Sequence, residues 1–119
     1  MKNNMVNQIM LVGRIANKLN LLELEGKKYC NLTIAVPRNY KNENGEYDTD
    51  FIDIKVWGAV AENVAEYCQT GNMVGVKGRI QTREIDIKDS EYKQKVIEII
   101  AEKVTFLSSS KKEGENNEN

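Results

Sequence analysis

The chain predicts an all-β fold with one helix: a five-stranded barrel whose helix separates the third strand from the fourth. Three observations predict it. Period-two alternation recurs at Tyr29–Val36, Phe51–Trp57 and Val74–Arg83; the only stretch with helical spacing falls between the last two; and glycines stand where strands must bend. The 119 residues suit one domain, and 40% hydrophobic with 29% charged side chains is globular composition, not that of a disordered chain.

Residues 5–12 favour β structure and turn almost wholly apolar from Ile9, as expected of a first strand covered on both sides. Gly13 follows as a bend or bulge. Leu19 to Glu25 reads as a short second strand, turned by Glu25-Gly26-Lys27-Lys28 into Tyr29–Val36. There Cys30, Leu32, Ile34 and Val36 share one face, and Tyr29, Asn31, Thr33 and Ala35 the other. Pro37 is expected to end that strand, and Arg38 to Asp50 to form a polar loop around Asn42-Glu43-Asn44-Gly45-Glu46.

Phe51–Trp57 is the third strand. Ala59 to Thr70 carries Val60, Ala61, Val64, Ala65 and Cys68 at helical spacing, with Gly71 as its stop. Tyr67 is expected to pack this helix onto the barrel, while Glu62 and Glu66 face water. Val74–Arg83 is the fourth strand, Asp86–Glu91 a polar turn, and Tyr92–Ala101 the fifth strand, which Val104–Leu107 extends or re-pairs. Residues 108–119 have no apolar side chain and are expected to be a disordered, mildly acidic tail, which leaves 1–107 as the folded domain. This order is that of the oligonucleotide/oligosaccharide-binding (OB) barrel. A small open sheet with one packed helix competes; the fifth strand and the two-sided first strand favour the barrel.

Composition removes several functions. One proline and two cysteines exclude collagenous and disulfide-framed scaffolds, and Cys30 and Cys68 are expected in the core. The absence of histidine removes most zinc sites and every His-dependent catalytic arrangement. With no phosphate-cradling glycine loop, nucleophile elbow or metal-ligand spacing, no catalytic residue, metal or cofactor is expected. No apolar run is long enough to span a membrane, and Met1-Lys2-Asn3-Asn4 lacks a signal core, so the cytoplasm is the expected location. Net charge is −1, with residues 1–107 neutral, so a basic face requires the acids to lie elsewhere.

Two strands supply such a face. On the third, Ile52, Ile54 and Val56 point one way, and Phe51, Asp53, Lys55 and Trp57 the other. Outward aromatics form either a stacking platform for unpaired bases or cover for a subunit contact. On the fourth, Val74, Val76, Gly78 and Ile80 oppose Lys77, Arg79, Gln81 and Arg83, a cationic row that suits a phosphate track or an edge guarded against aggregation. Tyr40, within Arg38-Asn39-Tyr40-Lys41, adds a ring flanked by cations. Arg14 aims either at a phosphate or at its own sheet, and Lys2-Asn3 forms either a basic arm or a frayed end.

Several segments together resemble bacterial and phage single-stranded DNA-binding proteins. These are Asn7-Gln8-Ile9-Met10-Leu11-Val12-Gly13-Arg14, Asn31–Val36, Asp50–Gly58 with Ala61-Glu62-Asn63-Val64-Ala65, and Lys77-Gly78-Arg79-Ile80-Gln81-Thr82-Arg83. The resemblance covers about residues 5–107. It implies an OB barrel, a homotetramer joined through the first strand, and single-stranded DNA wrapped on aromatic and basic surfaces. The family's stacking positions fall on Tyr40, Phe51 and Trp57; a further aromatic of some members is Ile85 here.

With the face reading, Arg14, Arg38, Lys55, Lys77, Arg79 and Arg83 become the candidate phosphate ligands. The expected function is sequence-independent binding that coats and protects single-stranded DNA in replication, recombination and repair, in association with the nucleoid. Many bacterial members recruit replication and repair partners through an aspartate-rich tip ending Pro-Phe. This chain ends Asn116-Asn117-Glu118-Asn119, so that route is not expected. The alternatives are an RNA-binding or primosome-type relative, and a module whose aromatics bury against a partner protein.

Overall fold

The computed structural model describes residues 4–109. Its elements run β1 (Ile9–Ile15), β2 (Leu22–Leu24), β3 (Lys27–Lys41), β4 (Tyr47–Trp57), α1 (Gly58–Tyr67), β5 (Met73–Asp86) and β6 (Lys93–Ser108). The order β1-β5-β6-β4-β3 returns to β1 through Arg14↔Ala35 and Ile15↔Ile34. Five strands therefore close into a barrel, and β2 hangs on β3 beyond it. The open sheet is ruled out.

Two glycines permit this closure. β1 pairs with β5 from Ile9 to Arg14 and crosses to β3 at its end. A Cβ on Gly13, at that crossing, would lie 2.6 Å from the Ala35 carbonyl oxygen. A Cβ on Gly78 would lie 2.2 Å from the Ile100 carbonyl oxygen. There β6 carries Glu102 as an extra residue between the pairs Lys77↔Lys103 and Gly78↔Ala101, a bulge that turns the strand.

The inward residues of the alternating strands make the core: Ile15, Cys30, Leu32, Ile34, Ile54, Val56, Val74 and Val76, with Ala61 and Val64 from α1. Burial pushes the Cys30 and Cys68 thiols above their ordinary range, so neither is poised as a nucleophile.

The structure corrects the sequence reading in five places. Residues 5–8 are not strand; instead the Asn7 amide accepts from Ile80 N–H (2.9 Å) and donates to Ile80 C=O (2.6 Å). The outer face of β1 is not covered within the chain, for Met10 and Val12 are 64% and 53% exposed. β3 continues through Pro37, because beyond Ala35 it pairs with β4 alone and its register shifts after Pro37. Most of the expected 38–50 loop is consequently a hairpin arm; its turn is tied by Asn42 Oδ1, which accepts from the N–H groups of Asn44 and Glu46 at 2.8 and 3.0 Å.

The fifth correction concerns α1. It stops at Tyr67 because Cys68 is extended and the buried Asn72 side chain takes the Gln69 N–H at 2.8 Å. Gly71 belongs to the turn into β5, and Tyr67, 70% exposed, does not pack on the barrel. Val104–Leu107 extends β6 as one continuous strand. Of the expected tail, Ser108 ends β6, and residues 110–119, like Lys2 and Asn3, lie outside the described residues. Among the described residues, no helix is long and apolar enough to cross a membrane.

Closure demands backbone contact at Gly78, so Gly78→Ala should cost about 2–4 kcal/mol of stability. Urea denaturation measures this; an unchanged midpoint contradicts the close approach of β5 and β6.

Candidate nucleic-acid interface

Because Ile54 and Val56 are buried, the alternation of β4 turns Phe51, Asp53, Lys55 and Trp57 outward. Antiparallel register with β3 sets Tyr29 opposite Trp57, Asn31 opposite Lys55, Thr33 opposite Asp53 and Ala35 opposite Phe51. A short parallel contact sets Ile100 of β6 beside Lys55, and Ile100 is in turn opposite Arg79 of β5. One outward row thus crosses four strands: Asn31, Lys55, Ile100, Arg79. Gln81 and Glu98 face each other in the next row.

The Tyr29 and Trp57 rings lie 5.1 Å apart between centroids with their planes at 39°. Lys55 Nζ sits 4.7 Å from the Tyr29 ring centre and 6.0 Å from that of Trp57. The ammonium is held by the ring quadrupoles, which keeps a cation beside two flat faces. A recess of about 340 Å³ adjoins them, walled by Gln81, Arg83 and Glu98. A second, about 390 Å³, opens between β4 and β6 beside Asn31, Asp53, Lys55 and Glu98.

Phe51, 65% exposed, lies six residues along β4 from Trp57, about 20 Å at strand rise. Tyr40 is exposed on the hairpin arm, where Lys41 Nζ lies 5.9 Å from the centre of the Tyr47 ring. Ile85 lies out on the β5–β6 arm opposite Gln94.

The cations divide into two sets. Lys55, Arg79 and Arg83 share the outward face with Trp57, and Lys77 continues that side of β5 toward Met10 of β1. Arg14 takes the second of its two readings: its guanidinium donates to the carbonyls of Gly71 (3.0 Å) and Ser109 (3.1 Å). Arg38 grips Asp50 with Nε at 3.1 Å and Nη2 at 2.9 Å, and Asp48 lies 3.9 Å away. Asp48 and Asp50 alternate with Phe51, so this pair is on the opposite side of β4 from the ring. The hydrogen bond from Arg38 holds the Asp50 carboxyl below its usual range.

The cationic row is also less bare than the sequence of β5 suggests, since β6 brings acids to it. Glu98 accepts from Arg83 Nε and from Gln81 Nε2 at 3.5 Å, and Glu102 lies 3.9 Å from Arg79 Nε. The Arg83 hydrogen bond lowers the Glu98 carboxyl pKa.

Residues 6–107 match the family model described as the single-strand binding protein family. The chain belongs to this family. It is 43% identical over 108 residues to single-stranded DNA-binding protein 1 of Clostridium acetobutylicum, covering 89% of this chain and 97% of the relative. Single-stranded DNA-binding protein B of Bacillus subtilis is 39% identical over 110 residues, covering 92% and 96%. Among solved structures, the Plasmodium falciparum SSB complex with ssDNA aligns with a TM-score of 0.73 at 25% identity, covering 91% of this chain and all of that one.

Sequence reasoning missed Tyr29, Tyr47, Glu98 and Glu102. Alternation had already set Tyr29 on the outward face; only the register with β4 shows that it meets Trp57. Glu98 adjoins the inward Ile99, but the parallel placement of β6 beside β4 is a long-range fact that no local pattern carries.

The aromatic pair gives a direct optical check. Tyr29→Ala uncovers one side of Trp57, the only tryptophan, and should move its emission to longer wavelength in the folded protein. An unchanged emission maximum contradicts the pairing.

Proposed function

We propose that this chain binds single-stranded DNA without regard to sequence, coating and protecting it during replication, recombination and repair. The observation that carries the reading is the Tyr29–Lys55–Trp57 cluster, open to solvent and continuous with Arg79 and Arg83, in a member of this family. Trp57, Phe51 and Tyr40 stack on bases, which works for any base because each presents a π face. Lys55, Lys77, Arg79 and Arg83 take phosphates. Arg38 joins them only by exchanging Asp50, and Arg14 only by leaving two carbonyls. The protein works by capture, not catalysis, and on this reading acts on nucleoid DNA in the cytoplasm.

Assembly into a homotetramer through the first strand belongs to the same proposal. Over Ile9–Val12 the second edge of β1 pairs with no strand among the described residues, and Met10 and Val12 lie exposed beside it. An open strand edge with apolar side chains is a site for pairing with another copy.

Fluorescence titration with oligo-dT and oligo-dC tests the binding. Log affinity should fall linearly with log salt, by about −0.7 per phosphate neutralised, and Trp57→Ala should lose about 1–3 kcal/mol with both oligonucleotides. Salt-independent affinity, unaffected binding by Trp57→Ala, or preference for matching RNA contradicts the reading. In a mass measurement, replacing Met10 and Val12 with Glu should leave species smaller than a tetramer; an unchanged mass excludes β1 as the contact.

A further inference from the structure

Glu98 stands where the two recesses of the outward face meet and lines both. Its side chain is 21% exposed against 55% for Arg83, so the acid is set into the surface and the guanidinium rides over it. Arg83 is one of the cations that the DNA-binding reading assigns to phosphate, yet its Nε already donates to a carboxylate. A phosphate and a carboxylate seek the same planar donor set on a guanidinium. A phosphate arriving at Arg83 must either turn Glu98 away or sit at close range to a second anion.

Resting on that reading, we propose that Glu98 is a built-in rival of the DNA backbone for Arg83, and that it sets the affinity of the site. The acid holds Arg83 in place in the free protein and gives it up on binding.

The competition has a proton linkage. Facing Glu98 are Arg83 from β5, Lys55 and Asp53 from β4, and Tyr29 from β3. In the free protein the Arg83 hydrogen bond keeps the Glu98 carboxyl below its usual range. When a phosphate takes Arg83, that support is lost and a new negative charge arrives, so the carboxyl binds protons more readily in the complex. Binding is therefore accompanied by proton uptake, and affinity rises as pH falls into the carboxylate range.

The test is equilibrium titration of the full chain with labelled oligo-dT at fixed salt, for the parent, Glu98→Gln, Arg83→Gln and the double variant. Glu98→Gln should bind about fivefold tighter, the scale of a partly exposed ion pair. Its salt dependence should steepen by up to about 0.7, because in the parent the released carboxylate takes up a cation as the phosphate sheds one. In the Arg83→Gln background the gain should vanish.

A second arm needs no Glu98 variant: lowering the pH from 7 to 5 should tighten binding by the parent more than by Arg83→Gln. Weaker or unchanged binding by Glu98→Gln overturns the proposal, as does a gain that survives loss of Arg83 or an equal pH response in both chains. If the parent binds no oligo-dT, the DNA-binding reading falls as well; if it binds and Glu98→Gln is no tighter, only this inference falls.

Discussion

The outward surface depends on a seam of two residue pairs, Ile54↔Ile99 and Lys55↔Ile100, where β6 lies parallel to β4. The first pair faces the core and the second faces out. Without this contact the barrel would open between β4 and β6, β1 alone would join β5 to β3, and the aromatic side chains of β3 and β4 would no longer adjoin the guanidinium side chains of β5. The seam is short because a parallel neighbour in so small a barrel is a closing contact between strands that run on in different directions. It holds because Gly78 lets β5 lie against the Ile100 carbonyl, and because the extra residue Glu102 turns β6. Ile100, buried between Lys55 and Arg79, gives both stems an apolar floor while their charged ends reach solvent.

The electrostatics follow from the same register. β5 read alone offers cations with no acid among them. Placed beside β6, Arg79 and Arg83 each acquire a carboxylate neighbour, and Lys55 is drawn over two rings. Acids thus offset part of the cationic row, in keeping with a chain of net charge −1, with Arg79 and Arg83 held in ion pairs and Lys55 over the rings. Exposed pairs of this kind are worth little to stability, about 0–1 kcal/mol, so they can be broken cheaply when a polyanion arrives. On the proposed reading, stacking on rings that cannot be neutralised would supply the part of the affinity that such pairs cannot.

Much of this was legible in the sequence, and the limits are physical. Inward residues of the long strands follow from period-two alternation because one face of each is buried, and Cys30, Leu32, Ile34, Ile54, Val56, Val74 and Val76 are all core. Phe51, Lys55 and Trp57 were readable as outward for the same reason. Pro37 misled because a proline breaks a strand only where its missing N–H is needed, and β3 has no second neighbour there. Arg38 and Arg14 show the other limit: each lies beside acids or carbonyls 10 to 95 positions away, partners that composition and spacing do not reveal. Tyr67 has helical spacing appropriate to packing, but Ala61 and Val64 fill the contact before it.

On the proposed reading, unpaired DNA lies across the joined outward face of β3, β4, β6 and β5. Photo-crosslinking of bromodeoxyuridine-substituted oligonucleotide to the full chain, with the attached residues located by mass spectrometry, tests it most directly. Attachment at Trp57, Tyr29 and Phe51 is expected. Attachment confined to the opposite groove between α1 and β6, around Tyr67 and Phe106, with none at Trp57, would contradict it.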